Sequence, residues 1–276
     1  MAGAGAGGDL PTGEMSTEKE LFNAINPGKT LEKFTKLLKG YSGDWAALAE
    51  TWSEAPLKED TLSIRAARNN CVDILNHLLS LKAAACEKRA LANQSKLSNG
   101  ATPLYIAAQN GHLEVVNALI AAGAAVDQAC HDDWTTPLFI ASQHGHTDVV
   151  KALIAANAAL NQACTSNLAT PLFIASQNGH LTVVEALINA GASLDQMDIY
   201  NETPLLVAIR KAHTAIVAML LEEPEARQRF SPLRAAWISA VARTLGRARS
   251  ATAFAGAGAG ADHKRPCIGP VKSGLS

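Results

Sequence analysis

From Thr61 to Leu221 apolar residues come in short bursts, and the bursts recur. One period reads Leu104-Tyr105-Ile106, the small pair Ala107-Ala108, a polar break Gln109-Asn110-Gly111-His112, then Val115-Val116 and Leu119-Ile120. The second burst places apolar residues at i, i+1, i+4 and i+5, which predicts a short helix with one buried stripe. The first burst predicts another short helix before the break. The pattern returns at Leu138–Leu153, Leu172–Leu187 and Leu205–Leu220. Each helix pair has apolar surface on both sides, so it is stable only in a stack.

Every pair opens on Thr-Pro-Leu, beginning at Thr102, Thr136, Thr170 and Thr203, with spacings of 34, 34 and 33 residues. Threonine at a helix start accepts a hydrogen bond from a free backbone N–H, and the proline after it already has the helical φ. Gly111, Gly145 and Gly179 supply the left-handed residue that ends the first helix. Glu114 and Asp148 lie in the first turn of the second helix, where negative charge suits the dipole, and Thr182 takes their place in the third unit. Ala107-Ala108, Ala141-Ser142 and Ala175-Ser176 are small enough for neighbouring helices to approach closely.

This period, the Thr-Pro-Leu opening and the Gly-His break resemble the ankyrin-repeat family, whose signature is Thr-Pro-Leu-His-x-Ala. The resemblance implies an all-α repeat solenoid with hairpin-like loop fingers and a non-catalytic role in binding another protein. It also implies that finger tips and inner helix ends line a concave binding face. Tyr105, Phe139, Phe173 and Leu206 stand where the family has histidine. That departure implies loss of the inter-repeat hydrogen bonds made by the histidine and a gain in apolar stacking.

The signal is weaker outside the regular units, which cover 99–223. Thr61–Leu79 aligns without gaps on Thr102–Ile120, with Asn70-Cys71 replacing Gly-His, so 61–98 reads as a degenerate repeat and 61–223 as the array. About seven extra residues fall within Ser80–Leu91, and their Ala, Lys and Glu content predicts a lengthened second helix. Asn93-Gln94 then resumes the phase of Asn161-Gln162. Residues 18–60 read as a degenerate N-terminal helical cap: Leu21, Phe22 and Ile25, a Pro27-Gly28 break, then Leu31, Phe34, Leu37 and Leu38, with an extra helix over Asp44–Glu54. Residues 1–17 and 251–276 carry alternating Ala-Gly runs with nothing bulky to bury and are expected to be disordered. Residues 224–250 read as a capping or basic amphipathic helix, with Leu233, Trp237, Val241 and Leu245 at four-residue intervals.

Comparing the repeats with one another separates what stacking fixes from what it leaves free. The free positions are the loops before each threonine (Leu97–Ala101, His131–Thr135, Thr165–Ala169, Asp198–Glu202) and the ends of the first helices. The candidate partner-binding residues are therefore Asp132, Asp133, Trp134, Leu168, Tyr200 and Asn201 on the fingers. Gln109, Gln143, His144, Gln177 and Arg210 join them on the helix ends. Trp134 and Leu168 stand where the family places glycine; a tryptophan disfavours the left-handed conformation, so Asp132-Asp133 and Ser166-Asn167 are expected to make those turns instead. Trp134, Leu168 and Tyr200 could then form an exposed row, or each could lie flat on the neighbouring finger.

Charge refines the picture. The chain of 276 residues has a net charge of −1, but 99–223 carry −8 and 224–276 carry +7. An acidic body favours a basic segment on a protein partner. A basic tail either docks on that body or meets a lipid surface or nucleic acid, which is the alternative reading: a targeting or regulatory module. No cofactor, metal or small-molecule substrate is expected. Histidines a repeat apart are too distant for one zinc ion, and no nucleophile has a patterned base partner. Five scattered cysteines read as reduced thiols. Met1–Pro11 lacks the features of a signal peptide and no apolar run reaches membrane-spanning length, so a cytoplasmic or nuclear location is expected.

Overall fold

A computed structural model describes residues 20, 23–25, 31–40, 61–82, 84–95 and 98–222. The expected helices over Asp44–Glu54 and Pro232–Arg249, and both Ala-Gly termini, lie outside the described residues. Twelve helices are present among those described: α1 (Leu31–Gly40), α2 (Leu62–Arg68), α3 (Val72–Ser80), α4 (Ala85–Ala92), α5 (Pro103–Asn110), α6 (Leu113–Ala121), α7 (Pro137–His144), α8 (Thr147–Ala155), α9 (Pro171–Asn178), α10 (Leu181–Asn189), α11 (Pro204–Arg210) and α12 (Thr214–Glu222). The first helices α2, α5, α7, α9 and α11 pack in series, and the second helices α3, α6, α8, α10 and α12 form a parallel row behind them. This is the all-α repeat solenoid expected from the period. α1 packs on α3 at the N-terminal end, burying Phe34, whose ring meets His77 edge-on at 6.5 Å.

Each threonine caps its helix through Oγ1: Thr61 accepts from Ile64 N at 3.3 Å, Thr102 from Tyr105 N at 3.1 Å, Thr136 from Phe139 N and Thr170 from Phe173 N at 3.2 Å, and Thr203 from Leu206 N at 3.3 Å. Gly111 (φ 75°), Gly145 (φ 76°) and Gly179 (φ 81°) are left-handed, as the sequence requires. Behind them Val115-Val116, Val149-Val150 and Val183-Val184 are fully buried, with Leu119, Leu153 and Leu187.

The histidines after these glycines hold the repeats together through inter-repeat hydrogen bonds of their own, which the reading of the sequence did not single out. His146 Nε2 lies 3.0 Å from the Gln109 carbonyl oxygen of the preceding unit, His180 Nε2 3.0 Å from Gln143 O and His213 Nε2 3.0 Å from Gln177 O. His112 Nε2 reaches Arg68 O at 3.1 Å across the degenerate joint. A carbonyl only accepts, so Nε2 carries the proton in each ring. The expected apolar stacking is also present: Phe139, Cys164, Phe173 and Val207 form a second buried cluster, and the Tyr105 hydroxyl keeps one polar bond, 3.1 Å from Thr135 Oγ1.

A second set of clips runs the other way. Asn93 Oδ1 accepts from Ala125 N at 2.6 Å, Asp127 Oδ1 from Ala159 N at 2.8 Å and Asn161 Oδ1 from Ser193 N at 2.8 Å. The clip at Asn93 explains why the insertion does not lengthen α3. That helix stops at nine residues, like α6, α8 and α10, and the extra residues fold into a separate helix, α4. A continued α3 would carry Asn93 away from Ala125; α4 packs on α3, buries Leu91 and Ala92, and returns the chain to phase.

Ser142 and Ser176 occupy equivalent, fully buried positions, yet Ser142 Oγ donates to Leu138 O at 2.7 Å while Ser176 Oγ has no partner. An unpaired buried hydroxyl costs about 1–3 kcal/mol. Ser176→Ala is therefore expected to raise unfolding stability by about 1 kcal/mol and Ser142→Ala to leave it unchanged or lower it. Urea denaturation of the two variants checks the difference.

Candidate functional site

The fingers are backbone hairpins braced on one another. Within three of them, Cys130 N donates to Thr135 O at 2.9 Å, Cys164 N to Ala169 O at 3.0 Å and Asp198 N to Glu202 O at 3.0 Å. Between them, His131 N donates to Asn99 O at 2.6 Å, Thr165 N to Asp133 O at 2.9 Å and Ile199 N to Asn167 O at 3.0 Å. Side chains close the turns: Asn99 Oδ1 accepts from Ala101 N, Asn167 Oδ1 from Ala169 N, and the buried Asp198 from both Tyr200 N and Glu202 N.

This ladder leaves one position per finger with positive φ, two residues before the threonine. Gly100 (φ 69°) and Asn201 (φ 57°) fill it at the two ends of the row. Trp134 (φ 52°) and Leu168 (φ 59°) fill it in the middle. The expectation that Asp132-Asp133 and Ser166-Asn167 would spare them this conformation is corrected. The extra residue lengthens each loop without moving the left-handed position, because the bonds to Thr135, Ala169 and the adjacent finger fix it. The side chains project outward, with Trp134 55% exposed, Leu168 49% and Tyr200 74%. The Trp134 ring meets His131 of its own finger, centroids 6.2 Å apart and planes tilted by 38°. Met197 and Ile199, both exposed, extend the apolar surface beside Tyr200; the reading of the sequence did not single them out. Their signal is apolar residues on both sides of an aspartate that makes a turn.

The inner helix ends differ among themselves. Gln109, Gln143 and Gln177 are half-buried, and among the described residues their side-chain amides make no hydrogen bond. His144 stacks on His146 with centroids 5.9 Å apart. Burial, then the neighbouring His146 and His180, hold the His144 imidazole below its ordinary pKa, so it stays neutral near pH 7. Arg210 is already engaged: its guanidinium donates to both oxygens of Glu202, the shortest contact being 2.6 Å. That hydrogen bond keeps the Glu202 carboxyl below the usual carboxylate range. Asp132 and Asp133 are exposed on the finger that carries Trp134. The site is thus a row of exposed apolar finger tips beside a row of uncharged amides and one neutral imidazole.

Cys130 and Cys164 lie beneath this row, each 3% exposed, with Cys130 Sγ 3.1 Å from Asn99 O and Cys164 Sγ 2.8 Å from Asn167 Oδ1. Burial pushes the Cys130 thiol up from its ordinary value. Among the four described cysteines, maleimide labelling of the native chain, mapped by peptide mass, is expected to modify exposed Cys86 first. Cys130 and Cys164 should react at least about a hundredfold more slowly, at the rate of local opening.

Among the described residues no three His, Cys, Asp or Glu side chains are grouped so as to hold a metal ion, and no helix is long and apolar enough to cross a membrane. A family model described as ankyrin repeats (3 copies) matches residues 63–164 and 156–230, together more than half of the chain. The comparison with curated proteins finds no match.

Proposed function

This chain belongs to the ankyrin-repeat family, whose repeats generally mediate protein–protein interaction, and on that premise we propose that it is a non-catalytic adaptor that binds another protein through its finger tips and inner helix ends. The observation that carries the reading is the pair Trp134 and Leu168, large apolar side chains that are exposed and left-handed at once. A left-handed non-glycine residue costs about 1–2 kcal/mol, and an exposed apolar side chain recovers little of it in the free chain. Gly100 and Asn201 occupy the same position in neighbouring fingers at lower cost, so the fold does not require bulk there. A partner that covers the row would offset the strain by burying it, and aromatic anchors in such a row supply most of an interface's energy. The net charge of −8 over 99–223 favours a basic segment on that partner. A targeting role through lipid or nucleic acid rests on the basic residues of 224–276, which lie outside the described residues.

The test is a pull-down from source lysate with the full chain, wild type against Trp134→Ala/Leu168→Ala/Tyr200→Ala, with circular dichroism showing that both fold. A protein retained by the wild type and lost by the variant supports the finger site. Capture of the same set by both sinks it.

A further inference from the structure

The last described unit, α11–α12, departs from its predecessors on the face it presents to whatever follows. Interior units place Ala108, Ser142 or Ser176 six residues after the threonine and bury it completely; here the position holds Ile209, only half-buried. Ala118, Ala152 and Ala186 give way to Met219, and the buried Tyr105, Phe139 and Phe173 to half-buried Leu206. The face is apolar, and bulkier than a regular unit accepts.

Ala212 sets this unit apart as well. It stands in register with Gly111, Gly145 and Gly179, is left-handed at φ 60°, and has a Cβ. In the interior units a Cβ at that position would come within 2.5–2.7 Å of the histidine ring of the next unit. A histidine seated as in the interior units would crowd Ala212, although at the degenerate joint Asn70, left-handed at φ 55° and also bearing a Cβ, leaves His112 its 3.1 Å contact with Arg68 O.

We propose that the cover of this face is the chain's own segment 231–249, docked as a fingerless closing unit, independently of the reading of the fingers. Ser231-Pro232-Leu233 repeats the cap, proline and leucine that open α11, but follows Thr203 by 28 residues instead of 33 or 34. The shortening removes most of one finger, since only eight residues separate Glu222 from Ser231. No Gly-His comes after it, and Leu233, Trp237, Val241 and Leu245 supply one apolar stripe for a face that offers one. The family match runs on to residue 230, up to the start of this segment. Charge agrees: −8 over 99–223 against +7 over 224–276.

In the full chain, Trp237→Ala/Val241→Ala is expected to raise amide hydrogen exchange across 204–222 by roughly tenfold to a hundredfold, the factor given by loss of large buried apolar groups, while exchange in α5–α8 is unchanged. A photocrosslinker in place of Trp237 is expected to join peptides from 204–222 of the same chain. Unchanged exchange across 204–222, or crosslinks confined to other regions or to a second copy, overturns the proposal. Recovery of Trp237-bearing full chain on anionic vesicles at 0.15 M salt, with exchange across 204–222 rising as it binds, does so only if free chain shows no crosslink to 204–222.

Discussion

Gly145→Ala lowers stability by roughly 3 kcal/mol, whereas Ala212→Gly raises it by about 1 kcal/mol, although both exchange one methyl group at the same place in the repeat. Both residues are left-handed, at φ 76° and 60°, so an alanine at either is strained by about 1–2 kcal/mol. The difference lies in the neighbour. A Cβ on Gly145 would lie 2.5 Å from His180 Nδ1, so the ring must move and its bond to the Gln143 carbonyl is lost, about 1 kcal/mol more. Ala212 has no such ring against it among the described residues, and its substitution only relieves the backbone. Chemical denaturation of the two variants checks the signs. Equal and small effects at both positions would show that the histidine contact does not hold the stack.

Trp134→Gly separates stability from binding. The substitution relieves the left-handed strain, so the folded chain is expected to gain about 1 kcal/mol. It also removes a large exposed ring, and affinity for the partner retained by the finger row is expected to fall by about 2–4 kcal/mol, roughly thirtyfold to a thousandfold. A residue that costs stability and serves binding is the pattern of a site held by function. Denaturation and a binding isotherm on the same preparation read both quantities. A gain in stability with unchanged affinity would leave Trp134 as strain without use, and a loss of stability would show that its contact with His131 outweighs the backbone cost.

The stack was legible because its rules are local. Thr-Pro fixes a helix start, Gly-His fixes its end, and the spacing of valines and leucines fixes the buried side. The fingers were less so. The sequence argued that Trp134 and Leu168 would leave the left-handed turn to their neighbours, since a single residue's preference favours that by a kcal/mol or so. The preference is opposed by several backbone bonds at once, within the finger (Cys130 to Thr135, Cys164 to Ala169) and across to the next (Thr165 to Asp133). No one residue encodes that network. The bonding of His146, His180 and His213 was missed for a related reason: the acceptor is a carbonyl 36–37 residues earlier, which carries no side-chain signature. Helix α4 shows the converse, where the composition of the insertion was helical but its direction depended on where Asn93 had to arrive.

The two sets of joints also give the molecule a grammar of length. From Thr102 on each unit reaches back with a histidine, three of them are held from behind by an Asn or Asp, and both contacts are made to backbone atoms. A joint of this kind does not care which unit supplies the other half. Removing residues 136–169 would bring His180 to Gln109 and Asp127 to Ser193, the same donors and acceptors one period apart. Such a chain would read a partner with Trp134 but without Leu168, so the span of recognition can be edited in whole words while the spelling of the core stays as it is.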